Sequence, residues 1–197
     1  MNNHTEGTIS PRFRNIWIAS GVLALVVGML ASPVVMAKGS SANGPQAKEE
    51  ASLSKQVYER LITIPWYNVF DNLEYKIEGN TVTVSGQVVF PLTKSSVRDA
   101  LEGVRGLERV VNNVQELSNT PLDNQLRWAV YRAIFYRNSP LFHYSLGPNP
   151  PIHIIVNNGR VTLVGVVISP MDREIAGMRA RSVPGTISVT NNLRVEK

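Results

Sequence analysis

The sequence predicts an α+β fold of two tandem α-β-β-α-β units, each a small three-stranded mixed sheet with two helices packed on one face. Three observations predict it. Residues 152–165, I-H-I-I-V-N-N-G-R-V-T-L-V-G, read as strand, tight turn, strand, and Asn158-Gly159 supplies the positive φ that both central positions of a two-residue hairpin loop require. The same pattern lies 79 positions earlier, at 73–86, and the register then holds to the end: Val82/Val161, Gly86/Gly165, Pro91/Pro170, Val104/Val183, Gly106/Gly185 and Asn112-Asn113/Asn191-Asn192 all coincide. Such self-similarity marks one supersecondary unit used twice. Between the strands, apolar residues recur at helical spacing.

The chain has 197 residues, 43% hydrophobic and 18% charged, the composition of a folded protein rather than a disordered one. Cysteine is absent, which excludes disulfides, a thiolate nucleophile, a zinc knuckle and a lipid-bearing N-terminal cysteine. Apolar packing alone must hold each small unit.

At the N-terminus, Arg12 and Arg14 precede the uncharged segment 16–37, which ends in Pro33-Val34-Val35-Met36-Ala37 with small residues placed for a signal peptidase. Residues 1–37 are expected to be a signal peptide cleaved after Ala37. The alternative is an uncleaved inner-membrane anchor, because the run is long enough to span a bilayer. Either way the folded part lies outside the cytoplasm. Residues 38–51, polar and without periodicity, read as a flexible leader.

The first unit, 52–118, opens with an amphipathic helix carrying Leu53, Val57 and Leu61, broken at Ile64-Pro65. Trp66, Tyr67 and Phe70 are expected to close the end of a small core, a membrane-dipping loop being the alternative. In the hairpin, Leu73, Tyr75 and Ile77, then Val82, Val84 and Val88, alternate with polar residues, so one face is buried and one wet. Gly86 either lets a covering helix approach closely or marks a bulge. A second helix is expected from an N-cap at Thr93 to Val104, ended by Gly106, with a last strand over 110–117.

The second unit, 119–197, starts with Thr120 as N-cap, Pro121 at the first helical position and Asp123 near the positive end of the helix dipole. About six extra residues within 138–151 carry Leu141, Phe142, His143, Tyr144 and several prolines, and read as a surface loop presenting aromatics. On the hairpin, Ile155, Val164, Val166 and Ile168 occupy the face that is polar in the first unit, so both faces of this sheet want cover. The loop, the first unit, a second subunit or lipid could supply it, and the chain itself is the expected source. Residues 51–118 carry 7 basic and 8 acidic side chains, whereas residues 119–197 carry 9 and 4, so the basicity belongs to the second unit. On the helix expected over 172–183, with Ala176, Ala180 and Val183 inward, Met178 and Arg181 point outward and Arg173 and Arg179 lie on the flanks. Arginines around an exposed Met suit a peripheral contact with anionic headgroups. Taken alone, the same face reads more simply as a solvated helix face whose arginines make minor surface pairs.

The doubled pattern, N-T-V-T-V-S-G-Q-V at 80–88 or G-R-V-T-L-V-G-V-V at 159–167, then a helix ending in V-R-G or V-P-G, then V-x-N-N-[VL] at 110–114 and 189–193, resembles the BON domain. That family occurs in osmotic-shock-inducible periplasmic proteins and in outer-membrane-associated, secretin-linked and channel proteins. The resemblance covers roughly 52–197 and implies two BON-like domains, 52–118 and 119–197. It further implies a periplasmic location, no enzymatic activity, no cofactor, and binding of anionic phospholipid or a membrane surface in support of envelope integrity or osmotic stress tolerance. The alternative is a protein–protein module that docks an envelope protein, or a second copy, through the apolar outer face of the second domain. The shared glycines, Gly86, Gly106, Gly165 and Gly185, with Asn158-Gly159, are structural. The lipid-attachment cysteine of some outer-membrane members is missing.

No catalytic or metal motif competes. His4 lies in the expected signal segment, His143 in the aromatic loop and His153 at a strand start, with no carboxylates at ligand spacing. No G-x-S-x-G, Walker loop or dinucleotide fingerprint appears. The pI of about 9.7 suggests nucleic acid, but export, and the lack of a G-x-x-G loop or of strand-face aromatics, argue against it.

Overall fold

The computed structural model describes residues 45–147 and 149–196. The expected signal segment 1–37 lies outside the described residues. One compact unit begins at Gln56 and holds both sheets. Helix α1, Pro45–Ile62, starts well before Ser52, inside the stretch expected to be a flexible leader. Its early turns are Gln46, Ala47, Lys48, Glu49, Glu50 and Ala51, all strong helix formers, behind a proline at the first position.

In the first repeat, β1 (Asn72–Glu78) runs antiparallel to β2 (Thr81–Val88), and β2 lies parallel to β3 (Arg109–Glu116), joined by helix α2 (Pro91–Leu101). The second repeat uses the same plan: β4 (Ile152–Asn157), β5 (Arg160–Val167) and β6 (Ser188–Val195), with β5 central, and helices α3 (Pro121–Phe135) and α4 (Pro170–Arg181). The α+β architecture of two tandem α-β units is thus present. Val82, Val84 and Val88 are buried with Val57, Leu61, Val97 and Leu101 in the first repeat; Ile152, Ile154, Val161 and Leu163 are buried with Val130, Ile134, Ala176 and Ala180 in the second. Each buried Val, Leu or Ile contributes about 1.5–3 kcal/mol.

Several local expectations change. The cap of α2 is Phe90 with Pro91 at the first position, and Thr93 is buried within the first turn. The glycine that follows α2 in a left-handed conformation is Gly103, at φ +75°, instead of Gly106. Gly106 and Gly185, both at φ +90°, occupy the third position of tight turns, where Leu107 N–H donates to Val104 O (3.2 Å) and Thr186 N–H to Val183 O (3.2 Å). Asn158 and Gly159, at φ +50° and +73°, make the expected hairpin turn. Gly86 serves neither a helix approach nor a bulge: it pairs with Leu73 in unbroken register, and a Cβ there would collide with the carbonyl of Asn72 on the neighbouring strand, as one at Gly165 would with that of Pro151.

The 138–151 segment presents its aromatics only in part: His143 is exposed and Phe142 half-buried, but Tyr144 is not displayed. Its 3₁₀ turn, Phe142–Ser145, buries Leu141 and Tyr144, three residues apart on one side. The Tyr144 hydroxyl accepts from Ile168 N–H (2.7 Å) and donates to Asp172 Oδ2 (2.9 Å), pinning the segment to the start of α4.

The cover for the outer face of β4 comes from the first repeat. Ile155 is 6% exposed, in a cluster with Val69, Phe70, Val89 and Leu117. Ile154 N–H donates to Val69 O (2.8 Å), and Ser118 N–H to Asn157 Oδ1 (3.2 Å). Arg127, 2% exposed, sits in this seam and donates to Ser118 O (2.5 Å), Val156 O (2.8 Å) and Asn124 Oδ1 (2.6 Å).

Candidate functional site

Helix α4 is capped by Ser169, whose hydroxyl accepts from Asp172 N–H (3.1 Å), and it buries only the small residues Ala176, Gly177 and Ala180. It therefore lies low on the sheet and leaves its long side chains outside. Met178, Arg173 and Arg181 are exposed. Arg173 makes a long hydrogen bond to Asn191 O (3.5 Å), and among the described residues no hydrogen bond or ion pair holds Arg181.

Arg179 is not available as a flank for headgroup contact. It donates to Ala133 O (3.3 Å) and to the Tyr136 hydroxyl (3.2 Å), with its guanidinium carbon 4.6 Å from the Tyr136 ring centre, so it ties α4 to the end of α3. A helical wheel of α4 places Arg179 on a flank but says nothing of what lies beyond that flank.

Helix α3 is capped by Thr120 as expected, and it also supplies residues beyond Thr120, Pro121 and Asp123 that the sequence reading did not single out. Thr120 Oγ1 accepts from Asp123 N–H (3.2 Å), and the Asp123 carboxylate in turn receives Asn158 N–H and Gly159 N–H at 2.8 Å each, gripping the hairpin turn. Burial pushes this carboxyl upward, but its hydrogen bonds from Ser118, Gly159 and Asn158 and the Arg127 charge more than offset that and hold it below the usual range. Leu126, Val130 and Ile134 face the core, while Leu122, Trp128 and Arg132 face outward. Trp128 is 53% exposed, one edge resting on Phe70 at 4.9 Å and on Tyr131 at 5.6 Å between centroids. The signal was present in the sequence: Trp128 and Arg132 fall opposite the buried stripe, whereas Leu122, four residues before Leu126, is exposed because it lies in the first turn of the helix.

The outer surface of α3 and α4 therefore combines Leu122, Trp128 and Met178 with Arg132, Arg173 and Arg181, against one exposed acid, Glu174. Chemically, that is a face able to attract anions and insert apolar groups. Of the expected docking face, Ile155 is already covered, Val164 and Val166 are half-buried, and Ile168 is exposed. Among the described residues, no three His, Asp or Glu side chains are grouped to hold a metal ion, and no helix is long and apolar enough to cross a membrane.

A second titratable cluster lies in the seam. Asp71, fully buried, accepts Val89 N–H (2.7 Å) and Asn68 N–H (3.0 Å). Burial pushes its carboxyl up to about 6, against the pull of those N–H groups and of Arg127. The ring of His153 lies 5.9 Å from that of Tyr67, its Nδ1 makes no hydrogen bond of ordinary geometry among the described residues, and burial, opposed by the backbone of Asp71 and Asn68, holds its pKa below the usual value. The two act oppositely on stability. Asp71 binds a proton more tightly folded than unfolded, so its contribution to stability falls as pH rises from about 4 to about 6. His153 binds one less tightly when folded, so its contribution falls as pH drops below about 6.5. In Asp71→Asn, urea-measured stability should rise with pH across this window, and in His153→Asn it should fall. Parallel profiles in both variants would contradict the assignment.

Residues 143–197 match the BON domain family, a non-enzymatic one. A comparison with curated proteins finds no match. Among solved structures, the chain is similar to the C-terminal domain of CdsD, the structural protein of the type III secretion system of Chlamydia trachomatis: 11% identity over 74% of this chain and 98% of that one, TM-score 0.30. A second CdsD structure gives 12% identity over 74% and 94%, TM-score 0.28. A superposition of that quality says nothing of this chain's function.

Proposed function

We propose that this chain is a non-enzymatic, exported envelope protein that binds anionic phospholipid membranes through α3 and α4 of its second repeat, in support of envelope integrity under osmotic stress. The observation that carries the reading is the exposure of Trp128, Leu122 and Met178 among arginines that make no ion pair among the described residues. The BON match over 143–197 supports it, as does the concentration of positive charge in 119–197. The reading includes a signal peptide over 1–37, a leader from residue 38 that joins α1, and BON-like domains at 52–118 and 119–197 in the periplasm.

Flotation of the full chain with anionic and with neutral vesicles tests it. Binding should be confined to anionic vesicles and fade with salt. The double variant Arg132→Glu/Arg181→Glu should lose roughly ten-fold or more in affinity. Equal absence from both vesicle types, or an unchanged double variant, would refute the reading. Arg179 is unsuitable for this test, because its loss loosens α4 from α3. A protein–protein role draws support from Ile168, with Leu146 and Met171 also exposed near the start of α4. It predicts salt-insensitive self-association or retention of an envelope protein.

A further inference from the structure

Ile64-Pro65-Trp66-Tyr67 forms a tight turn in which Tyr67 N–H donates to Ile64 O (3.1 Å), proline sits second, and Trp66 sits third at φ +71°. This is the type II pattern, whose third position requires positive φ and is ordinarily taken by glycine or asparagine. The chain follows that rule in its two similar turns, with Gly106 and with Pro184-Gly185, both glycines at φ +90°. A bulky aromatic there is a genuine outlier and strains the backbone.

The side chain that imposes the strain is 64% exposed, so its own burial does little to offset it. It lies at 6.3 Å between centroids from Phe90, which is also exposed, as is the adjacent Leu92. The turn is held outward. Asn68 Nδ2 donates to Trp66 O (2.8 Å), and a long hydrogen bond of 3.5 Å joins Thr93 Oγ1 to Pro65 O. Strain retained to hold a Trp in solvent points to the side chain's use rather than to folding.

The geometry points to the Trp66 turn as a second membrane-insertion point, supplied by the first repeat and independent of the arginines. It rests on the membrane reading above. A bilayer is the occupant for three reasons. The patch is a projecting proline-flanked turn instead of a groove shaped for one partner. It couples Trp with Phe and Leu, the mixture that seats at the headgroup boundary. It also continues toward the proposed contact on α3, since Phe70, four residues on, rests on Trp128 at 4.9 Å.

The test exploits the conflict between fold and use. Trp66→Gly and Trp66→Asn both suit positive φ, so each should leave Tm unchanged or raise it by roughly 2–4 °C. Both should weaken binding of the full chain to anionic vesicles by roughly ten-fold, the value of one buried aromatic. Because the chain has no cysteine, Leu92→Cys carries a single polarity-sensitive fluorophore, and its emission should shift blue on bound vesicles. Wild-type flotation with unchanged affinity in both Trp66 variants would overturn the insertion while sparing the membrane reading. No flotation of the wild type would remove both. A marked fall in Tm in both variants would make Trp66 a structural residue, and a fluorophore shift that needs only high protein concentration would make the patch a contact between copies; either overturns the proposal.

Discussion

Arg127→Met should lower the unfolding free energy by about 3–5 kcal/mol, because Ser118 O and Val156 O each lose a charged donor worth about 1.5–3 kcal/mol, out of a total of roughly 5–15 kcal/mol for a protein of ordinary stability. Methionine keeps the apolar stem but ends short of the guanidinium, so charge, donors and buried volume are lost together. Ser118 O and Val156 O would be left without the guanidinium that bridges the repeats. Asp123 and Asp71, both held down in part by the Arg127 charge, would lose that counter-charge. A fall in the urea midpoint reports the first effect; a rise of the Asp71 pKa above about 6, read by NMR, reports the second. A loss under about 1 kcal/mol, the range of surface pairs, would mean that the seam does not depend on this group.

Gly165→Ala should be worse, exceeding about 4 kcal/mol and preventing the second sheet from forming. The new methyl would land on the Pro151 carbonyl oxygen, at a residue whose φ of +123° already excludes most side chains. That oxygen cannot withdraw freely, because it accepts Val166 N–H at 3.0 Å. Gly86→Ala should do the same to the first sheet through Asn72. Gly103→Ala separates the two causes: its φ is +75° but nothing lies near its absent Cβ, so it should cost about 1 kcal/mol. Far-ultraviolet circular dichroism and urea titration would distinguish them, and equal losses at 103 and 165 would argue against the close strand contact.

Much of the fold was legible because a strand face and a helix stripe are periodic, and the repeat wrote each period twice. Val82/Val161 and Gly86/Gly165 could be aligned without knowing what they touch. What escaped was contact between elements distant in sequence. Arg179 stood on the correct helix, yet its partners are Ala133 and Tyr136, well over thirty residues earlier. Asp123 read as a dipole partner, while its carboxylate also holds the turn at Asn158-Gly159. Tyr144 read as loop display because proline obscured a single 3₁₀ turn. Trp66 was visible as an aromatic near a proline, but its positive φ depends on the turn closing around it.

The bond from Ile154 to Val69 places first-repeat backbone against the outer margin of the second sheet. Unpaired strand margins recruit other chains and seed fibrils. Expressed without its neighbour, the second repeat would bare that margin together with Ile155, and would be prone to polymerise through it. Tandem arrangement thus acts here as a guard against aggregation by the stickier half of the molecule.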